Sequence, residues 1–260
     1  MISESERIAP THRPNQRVSL RQRWAELLFL HWEVEAEAIQ RLLPPGLTVD
    51  TYDGKAYVGL VPFTMTGIRP TWAPAIWGLS SFHEINVRTY VHCEGKHPGV
   101  WFFSLDAAHA IAVWIGRTFW HLNYCRARMS LTKDRRRGRI DYRTERLAPR
   151  STSAIANVAY TPSGVSQSAT VGTLEYFFAE RYIMYVHRQG NLYLGRVHHV
   201  PYPLQTVTIH HWEENLLAAN GVHRGPEEPS ALYVEEVNVE IFPLCPVERG
   251  AYRRQVQRGE

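Results

Sequence analysis

Lysine is nearly absent from this chain. Among 29 Lys and Arg residues in 260, only Lys55, Lys96 and Lys133 are lysines. Schiff-base chemistry needs an amine whose pKa is lowered by burial or by a neighbouring cation. Lys55 follows the Asp53-Gly54 turn, Lys96 lies in a Gly/Pro turn and Lys133 belongs to a basic hairpin tip. All three are expected to be exposed, so a covalent imine mechanism is not expected. Cysteine is also scarce: Cys93, Cys125 and Cys245 are odd in number and share no metal-type spacing. That argues against a disulfide framework and suits a reducing cytosol. Cys125 has no base and orienter at a readable spacing, so it is not expected to act as a nucleophile. The pairs His198-His199 and His210-His211 would point to opposite strand faces, each pair giving one ligand at most, and no metal site is expected. There is no Gly-rich phosphate loop, Gly-x-Ser-x-Gly elbow or His-Glu-x-x-His motif, and no cofactor is expected. Met1 to Arg17 is polar without an apolar core, unlike a signal peptide. The longest apolar run, near Ala107 to Ile115, is too short to cross a bilayer. The expected location is cytoplasmic, with no membrane partner.

What is present is an ordinary globular composition, 44% apolar and 21% charged, with a modest net charge of +4. Eight Trp and thirteen Tyr are many for this length. Such side chains bury large areas while offering an OH or NH, and they often line small-molecule pockets.

Along the chain, residues 1–17 read as a loose polar tail and 248–260 as a loose Arg-rich one, leaving 18–247 as a single domain. Leu20 to Trp32 suits a buried strand, and Glu33 to Leu43 a short helix stopped by Pro44-Pro45-Gly46. Asp53-Gly54 signals a type I′ hairpin between Leu47–Tyr52 and Lys55–Met65. Thr71 to Ser80 is a Pro/Trp-rich loop long enough to cover a pocket mouth. Glu94 to Gly99 reads as a turn, Val100 to Leu105 as a strand antiparallel to the preceding one, and Ala107 to Trp120 as a helix capped by Ser104 or Asp106. Leu122–Thr132 and Arg139–Glu145 form a hairpin whose tip, Lys133 to Gly138, is basic. A solvated hairpin end explains that tip better than a nucleic-acid contact. Thr152 to Val171 reads as loop-like at its centre, followed by a helix from Leu174 to Tyr182 capped by Thr173. Ile183–His187, Leu192–His199, Thr206–Ile209 and Leu232–Phe242 read as strands, and Glu213–Asn220 as a short helix ending at Gly221. The expected class is α+β: a large, mostly antiparallel curled sheet, cone- or barrel-like, with a few short helices.

The chain is organised around Phe82-His83-Glu84-Ile85-Asn86-Val87-Arg88-Thr89-Tyr90-Val91. As a strand it places Ile85, Val87 and Val91 on one face and Glu84, Asn86 and Arg88 on the other, same-face neighbours being roughly 6.5–7 Å apart. Two readings stay open on pattern alone. The polar row faces water, or it lines a concave pocket in which Arg88 forks onto a carboxylate or carbonyl. A buried Glu84–Arg88 pair holding the sheet together is the structural alternative within the second.

The run Ala38 to Asp50, with Pro44-Pro45-Gly46, resembles the helix–Pro–strand opening of the acetoacetate decarboxylase-like superfamily. Phe82-His83-Glu84 resembles its aromatic-x-Glu active-site strand, and the helix ending Gly116-Arg117 the one leading to its catalytic lysine. From about Arg21 to Cys245 the chain more closely resembles the YqjF-like branch, DUF2071, a group of uncharacterised bacterial proteins. The matching motifs are Phe82–Val91, Gly99-Val100-Trp101-Phe102-Phe103-Ser104-Leu105-Asp106-Ala107 and Leu174-Glu175-Tyr176-Phe177-Phe178-Ala179-Glu180-Arg181-Tyr182. The resemblance implies a cone-like sheet around a central pocket, with Glu84 as the one matched active-site position. It departs where the decarboxylases carry their imine-forming lysine. Here His121-Leu122-Asn123-Tyr124-Cys125-Arg126 has none, and Tyr124 or Cys125 stands near that position.

The expected function is therefore a small-molecule pocket protein acting on a small organic acid or keto compound without a covalent intermediate. Arg88 would bind the acidic group, Glu84 would serve as general acid/base and Tyr124 as proton donor. Asn86, Trp101, Glu180 and Tyr182 are the expected substrate-binding residues, and Glu180–Arg181 is a second candidate ion pair. The alternative is a non-catalytic ligand-binding or sensing module. No nucleic-acid partner is expected, and a homo-oligomer stays open.

Overall fold

The structure, a computed structural model, describes residues 2–76, 80–148 and 154–247. In chain order these form α1 (Glu4–Ile8), β1 (Leu20–Val34), α2 (Ala36–Leu42), β2 (Thr48–Val49), β3 (Ala56–Pro70), β4 (Phe82–Cys93), β5 (Lys96–Ala107) and α3 (Ala110–Phe119). Next come β6 (Tyr124–Asp134), β7 (Arg139–Ala148), β8 (Ile155–Gln167), α4 (Leu174–Ala179), β9 (Ile183–Arg188), β10 (Asn191–His198), β11 (Leu204–Glu214), α5 (Leu216–Ala219), β12 (Ser230–Ile241) and β13 (Cys245–Pro246).

All thirteen strands among the described residues join one sheet, mostly antiparallel, as the alternating patterns and short hairpin turns require. The sheet closes on itself because β4 pairs with β5 as well as with β3. The ring runs β5-β6-β7-β8-β11-β12-β1-β3-β4 and back to β5. A second ring branches from the same wall: β5 also pairs with β9 through Val100–Met184, and β10 reaches β12 through Val197–Ile241. Strands β12, β1, β3, β4 and β5 are thus shared by the two rings, and β4 has no exposed residue. Their alternate side chains sort accordingly. Leu28, Leu30, Val58, Leu60, Ile85 and Val87 pack with Tyr142, Val158 and Tyr160 into a filled core. Leu27, Phe29, Val61, Phe63 and Met65 gather with Val197, Tyr202 and Val239 on the opposite side.

Several expectations change. Residues 4–11 are not loose: α1 and a 3₁₀ turn are tied down where Arg7 donates twice to Asp50, at 2.6 and 2.8 Å. The polar composition of the segment hid this, because the partner lies 43 residues away. The other expected tail, 248–260, lies outside the described residues, as do 77–79 of the Thr71–Ser80 loop. Asp53 and Gly54 have the positive φ values of a type I′ turn, but only Tyr52 and Lys55 bridge across it. Strand β2 pairs with β4 instead. Ser104 and Asp106 lie buried inside β5, and His109 Nδ1 caps α3 by accepting from Ala112 N–H. The stretch read as a loop around 155–167 is β8, paired with β7 and β11. Its small, polar composition suggested a loop, but two-sided pairing outweighs local propensity.

Several arginines of the body pair with carboxylates. Arg146 donates to both Asp106 oxygens at 2.7 Å and to Ser104 Oγ at 2.9 Å. Arg181 reaches Asp50 at 2.9 Å. Arg224 reaches Glu214 at 3.0 Å while lying between the Trp32 and Trp212 rings. Removing one partner of such a pair strands the other charge in a low dielectric. Arg146→Met should destabilise the fold by about 3–5 kcal/mol, read from the urea midpoint. Adding Asp106→Leu should recover much of that loss; a single variant as stable as wild type would contradict this account.

Candidate functional site

On the second side of the shared wall is a cavity of about 540 Å³. Strand β4 enters it at half-buried Phe82 and descends through Glu84 and Asn86 to Arg88. The wall opposite on β3 follows in register, with Met65 beside Phe82, Phe63 beside Glu84 and Val61 beside Asn86. The β4 side chains below Phe82 are all buried, Glu84 at 2%, Asn86 at 5% and Arg88 at 8%, whereas Trp72 at the mouth is 82% exposed. The Thr71–Ser80 loop contributes Trp72, Pro74, Ile76 and Ser80 to the mouth, and α3 contributes Ile111 and Ile115.

Glu84 is 2% exposed and, among the described residues, forms no ion pair. Tyr124 O–H donates to its Oε2 at 2.7 Å, and Oε1 has no hydrogen bond to a described residue. Burial pushes the Glu84 carboxyl up to about 8; the Tyr124 hydrogen bond works against this and the Asp106 charge adds to it. Tyr124 is raised well above its ordinary value by burial and by Glu84, so it stays a donor. The position of Tyr124 depends on Gly116. A Cβ on that residue would sit 2.4 Å from two Tyr124 ring carbons, so only glycine lets the ring lie against α3.

Arg88 is the exception among the buried arginines. Nη2 donates to Phe178 C=O at 2.9 Å and to Tyr90 Oη at 3.3 Å, but among the described residues no carboxylate pairs with it and Nε has no partner. The guanidinium lies 5.2 Å from the Phe29 ring centroid. The alternative Glu84–Arg88 ion pair is not formed. Asn86 is also buried and borders the cavity, its Oδ1 without a partner.

Other expected site residues fall elsewhere. Trp101 borders a separate surface groove with Leu43, His121 and Tyr185, because the bulge between Val87 and Arg88 puts it opposite Thr89. Glu180 accepts from Tyr182 O–H and from Tyr202 N–H at 2.9 Å, while Tyr182 stacks on His199. Neither Glu180 nor Tyr182 is among the cavity-lining residues, and Glu180 does not pair with Arg181, which turns to Asp50. Helix α4 ends at Ala179, before these residues, so helical spacing does not apply to them. Cys125 is buried, which disfavours its thiolate, and it is not in the lining. No lysine lines the cavity either: Lys55 pairs with Glu33, Lys133 with Glu26, and Lys96 is exposed. Among the described residues no group of three potential metal ligands converges, and no helix is long and apolar enough to cross a membrane.

The sequence reading missed His31, which contacts Tyr90 O–H at 2.5 Å and stacks on Phe178 at 3.8 Å beneath Arg88. Burial first, then the Arg88 charge, lowers its pKa well below the ordinary value, so it supports Arg88 as a neutral group. A single histidine inside the apolar run Leu27–Trp32 was the available signal, since a buried polar group needs a partner.

The folded protein keeps the Glu84 proton up to about pH 8, whereas the unfolded chain loses it near about 4.3. The native state therefore binds more protons between these values, so this group's contribution is full below about pH 4 and is lost as pH rises through about 8. Wild-type stability should decline across that window more steeply than Glu84→Gln stability. The infrared band of a protonated carboxyl should be present at pH 7 and absent in the variant. Identical spectra and pH profiles would show that Glu84 is ionised.

Comparison with known proteins agrees with this architecture. The family model for DUF2071, an uncharacterised conserved protein, matches residues 21–238. The uncharacterised protein YqjF of Bacillus subtilis (strain 168) is 36% identical over 225 residues, 86% of this chain and 91% of that protein. An acetoacetate decarboxylase-like enzyme from Sphingomonas wittichii RW1 superposes with a TM-score of 0.60 at 14% identity, covering 89% of this chain and 94% of that one. The enduracididine biosynthesis enzyme MppR, complexed with the condensation product of pyruvate and imidazole 4-carboxaldehyde, gives 0.60 at 13% identity, covering 90% and 92%. At such identities the structures speak for the fold alone. The chain belongs to the DUF2071 family and has the acetoacetate decarboxylase-like fold.

Proposed function

We propose that the cavity binds a small organic carboxylate or keto acid and works on it by non-covalent acid–base chemistry. The observation that carries this reading is the buried guanidinium of Arg88, which borders the cavity without a counter-charge. A buried charge is costly unless paired. A ligand carboxylate would supply the missing partner, with charge-assisted hydrogen bonds to a group already fixed by Phe178 C=O and Tyr90. Glu84, held protonated at neutral pH, can donate to a ligand carbonyl oxygen through the oxygen that Tyr124 leaves free. With a pKa near 8 it can also release and recover a proton at modest cost, which suits a general acid/base. Tyr124 stabilises the anionic form by its donated hydrogen bond, and Asn86 offers an amide between Glu84 and Arg88 on the strand. MppR, described complexed with pyruvate, supports a keto acid on this fold. With no lysine in the lining, the chemistry runs without an imine. Cys93, Cys125 and Cys245 form no disulfide, which fits a reducing compartment.

Two measurements check this. Arg88→Met should weaken binding of a carboxylate ligand by about tenfold to hundredfold. Glu84→Gln should keep binding within a few-fold while slowing turnover by about 10²–10⁴. A wild type that binds and never turns over would make the chain a binding module. Separately, borohydride in the presence of pyruvate or acetoacetate should leave the protein mass unchanged; a covalent adduct at Lys55, Lys96 or Lys133 would refute the non-covalent mechanism.

A further inference from the structure

The polar groups of the cavity are concentrated at one end, and the volume is far larger than that end requires. Beyond Glu84, Asn86, Arg88 and Tyr124, three more polar side chains of the lining are committed elsewhere. Ser80 Oγ accepts from Ile76 N–H at 2.8 Å, His109 Nδ1 caps α3, and Arg181 is held by Asp50. The walls between are mainly apolar, formed by Trp24, Phe29, Phe63, Met65, Phe82 and Trp120, with Trp24 and Phe63 in edge contact at 5.7 Å and the Trp24 Nε1 buried without a partner. A carboxylate with one or two carbons would occupy the Arg88 end and leave these walls uncovered, within a cavity of 540 Å³.

The mouth continues the apolar surface outward. Trp72 is 82% exposed, Ile76 60%, Ile111 50% and Ile115 41%, and all four border the cavity. They come from two separate segments, the Thr71–Ser80 loop and α3, so the apolar rim is a feature of the opening and not of one helix. Exposed apolar groups converging on a cavity are the surface that an apolar ligand body would cover.

We infer that the ligand is an amphiphile: a carboxylate head at Arg88 and an extended apolar body, aliphatic or aryl, that fills the cavity as far as the Trp72–Ile111 rim. This rests on the reading of Arg88 as the carboxylate anchor and adds what the rest of the cavity selects. Each methylene moved from water into such walls strengthens binding by a constant factor, about threefold to fourfold. Selectivity between short and long acids therefore comes from the walls, while the head sets orientation.

The test is a series of dissociation constants on the full chain, for n-alkanoates from butanoate to decanoate, the corresponding 1-alkanols, and phenyl- and naphthylacetate. Tryptophan fluorescence follows binding, since Trp24 and Trp120 line the walls. Affinity for the alkanoates should rise about threefold to fourfold per methylene until the cavity is full. Alkanols of equal length should bind at least about tenfold more weakly. The arylacetates separate the two bodies, since a preference for naphthylacetate over the alkanoates marks an aryl ligand and the reverse an aliphatic one. Ile111→Asp, at an exposed position that should not compromise folding, should flatten the rise with chain length and leave butanoate unchanged. A flat series whose binding is still lost in Arg88→Met would overturn the amphiphile inference and keep the carboxylate reading. Alkanols matching alkanoates would overturn the carboxylate anchor, and with it this inference. No binding by any member would overturn both.

Discussion

Strand β4 has no face turned to water. In such a strand, period-two alternation does not separate inside from outside; it assigns side chains to one of two interiors. Ile85 and Val87 enter the filled interior against Tyr142 and Tyr160, and Glu84, Asn86 and Arg88 enter the hollow one. An acid, an amide and a guanidinium are thereby buried together. Nearly everything distinctive about the molecule follows from how these groups are, and are not, satisfied.

The acid is satisfied as a neutral group. Tyr124 holds one of its oxygens, Tyr142 O–H fixes the backbone at Glu84 C=O at 2.9 Å, and burial keeps the proton in place. A neutral Glu84 cannot serve as counter-ion to Arg88, and no ion pair joins the two. Arg88 is instead held by dipoles and rings, namely Phe178 C=O, Tyr90 O–H and Phe29, with neutral His31 bracing Tyr90. Elsewhere the fold pairs its buried arginines with carboxylates, as at Arg146–Asp106 and Arg181–Asp50. Against that background, an unpaired guanidinium beside a cavity reads as a site completed by a ligand.

Much of this was legible in the sequence where the signal is local. The β4 alternation, the hairpin between β6 and β7, the Thr173 cap and the exposed lysines all follow from adjacent residues, and the family resemblance carried the closed sheet. The resemblance put Tyr124 or Cys125 near the lysine position of the decarboxylases, and the structure brings Tyr124 onto Glu84 with the bare Gly116 beneath its ring. What was not legible depends on partners far along the chain. Arg7 gains order only through Asp50, β8 is a strand only because β7 and β11 flank it, and His31 has meaning only once Tyr90 lies beside it. Trp101, Glu180 and Tyr182 sit in motifs that resemble the family's, but a bulge in one case and an early helix end in the other turn them away from the cavity.

The most direct test is a crystal structure of the protein soaked with a medium-chain carboxylate. The account predicts density running through the cavity with the carboxylate on the Arg88 guanidinium, the neighbouring oxygen of Glu84 within hydrogen-bond reach, and the chain directed toward Trp72 and Ile111. A cavity filled by rearranged side chains, or a ligand bound with Arg88 paired to Glu84 instead, would contradict it.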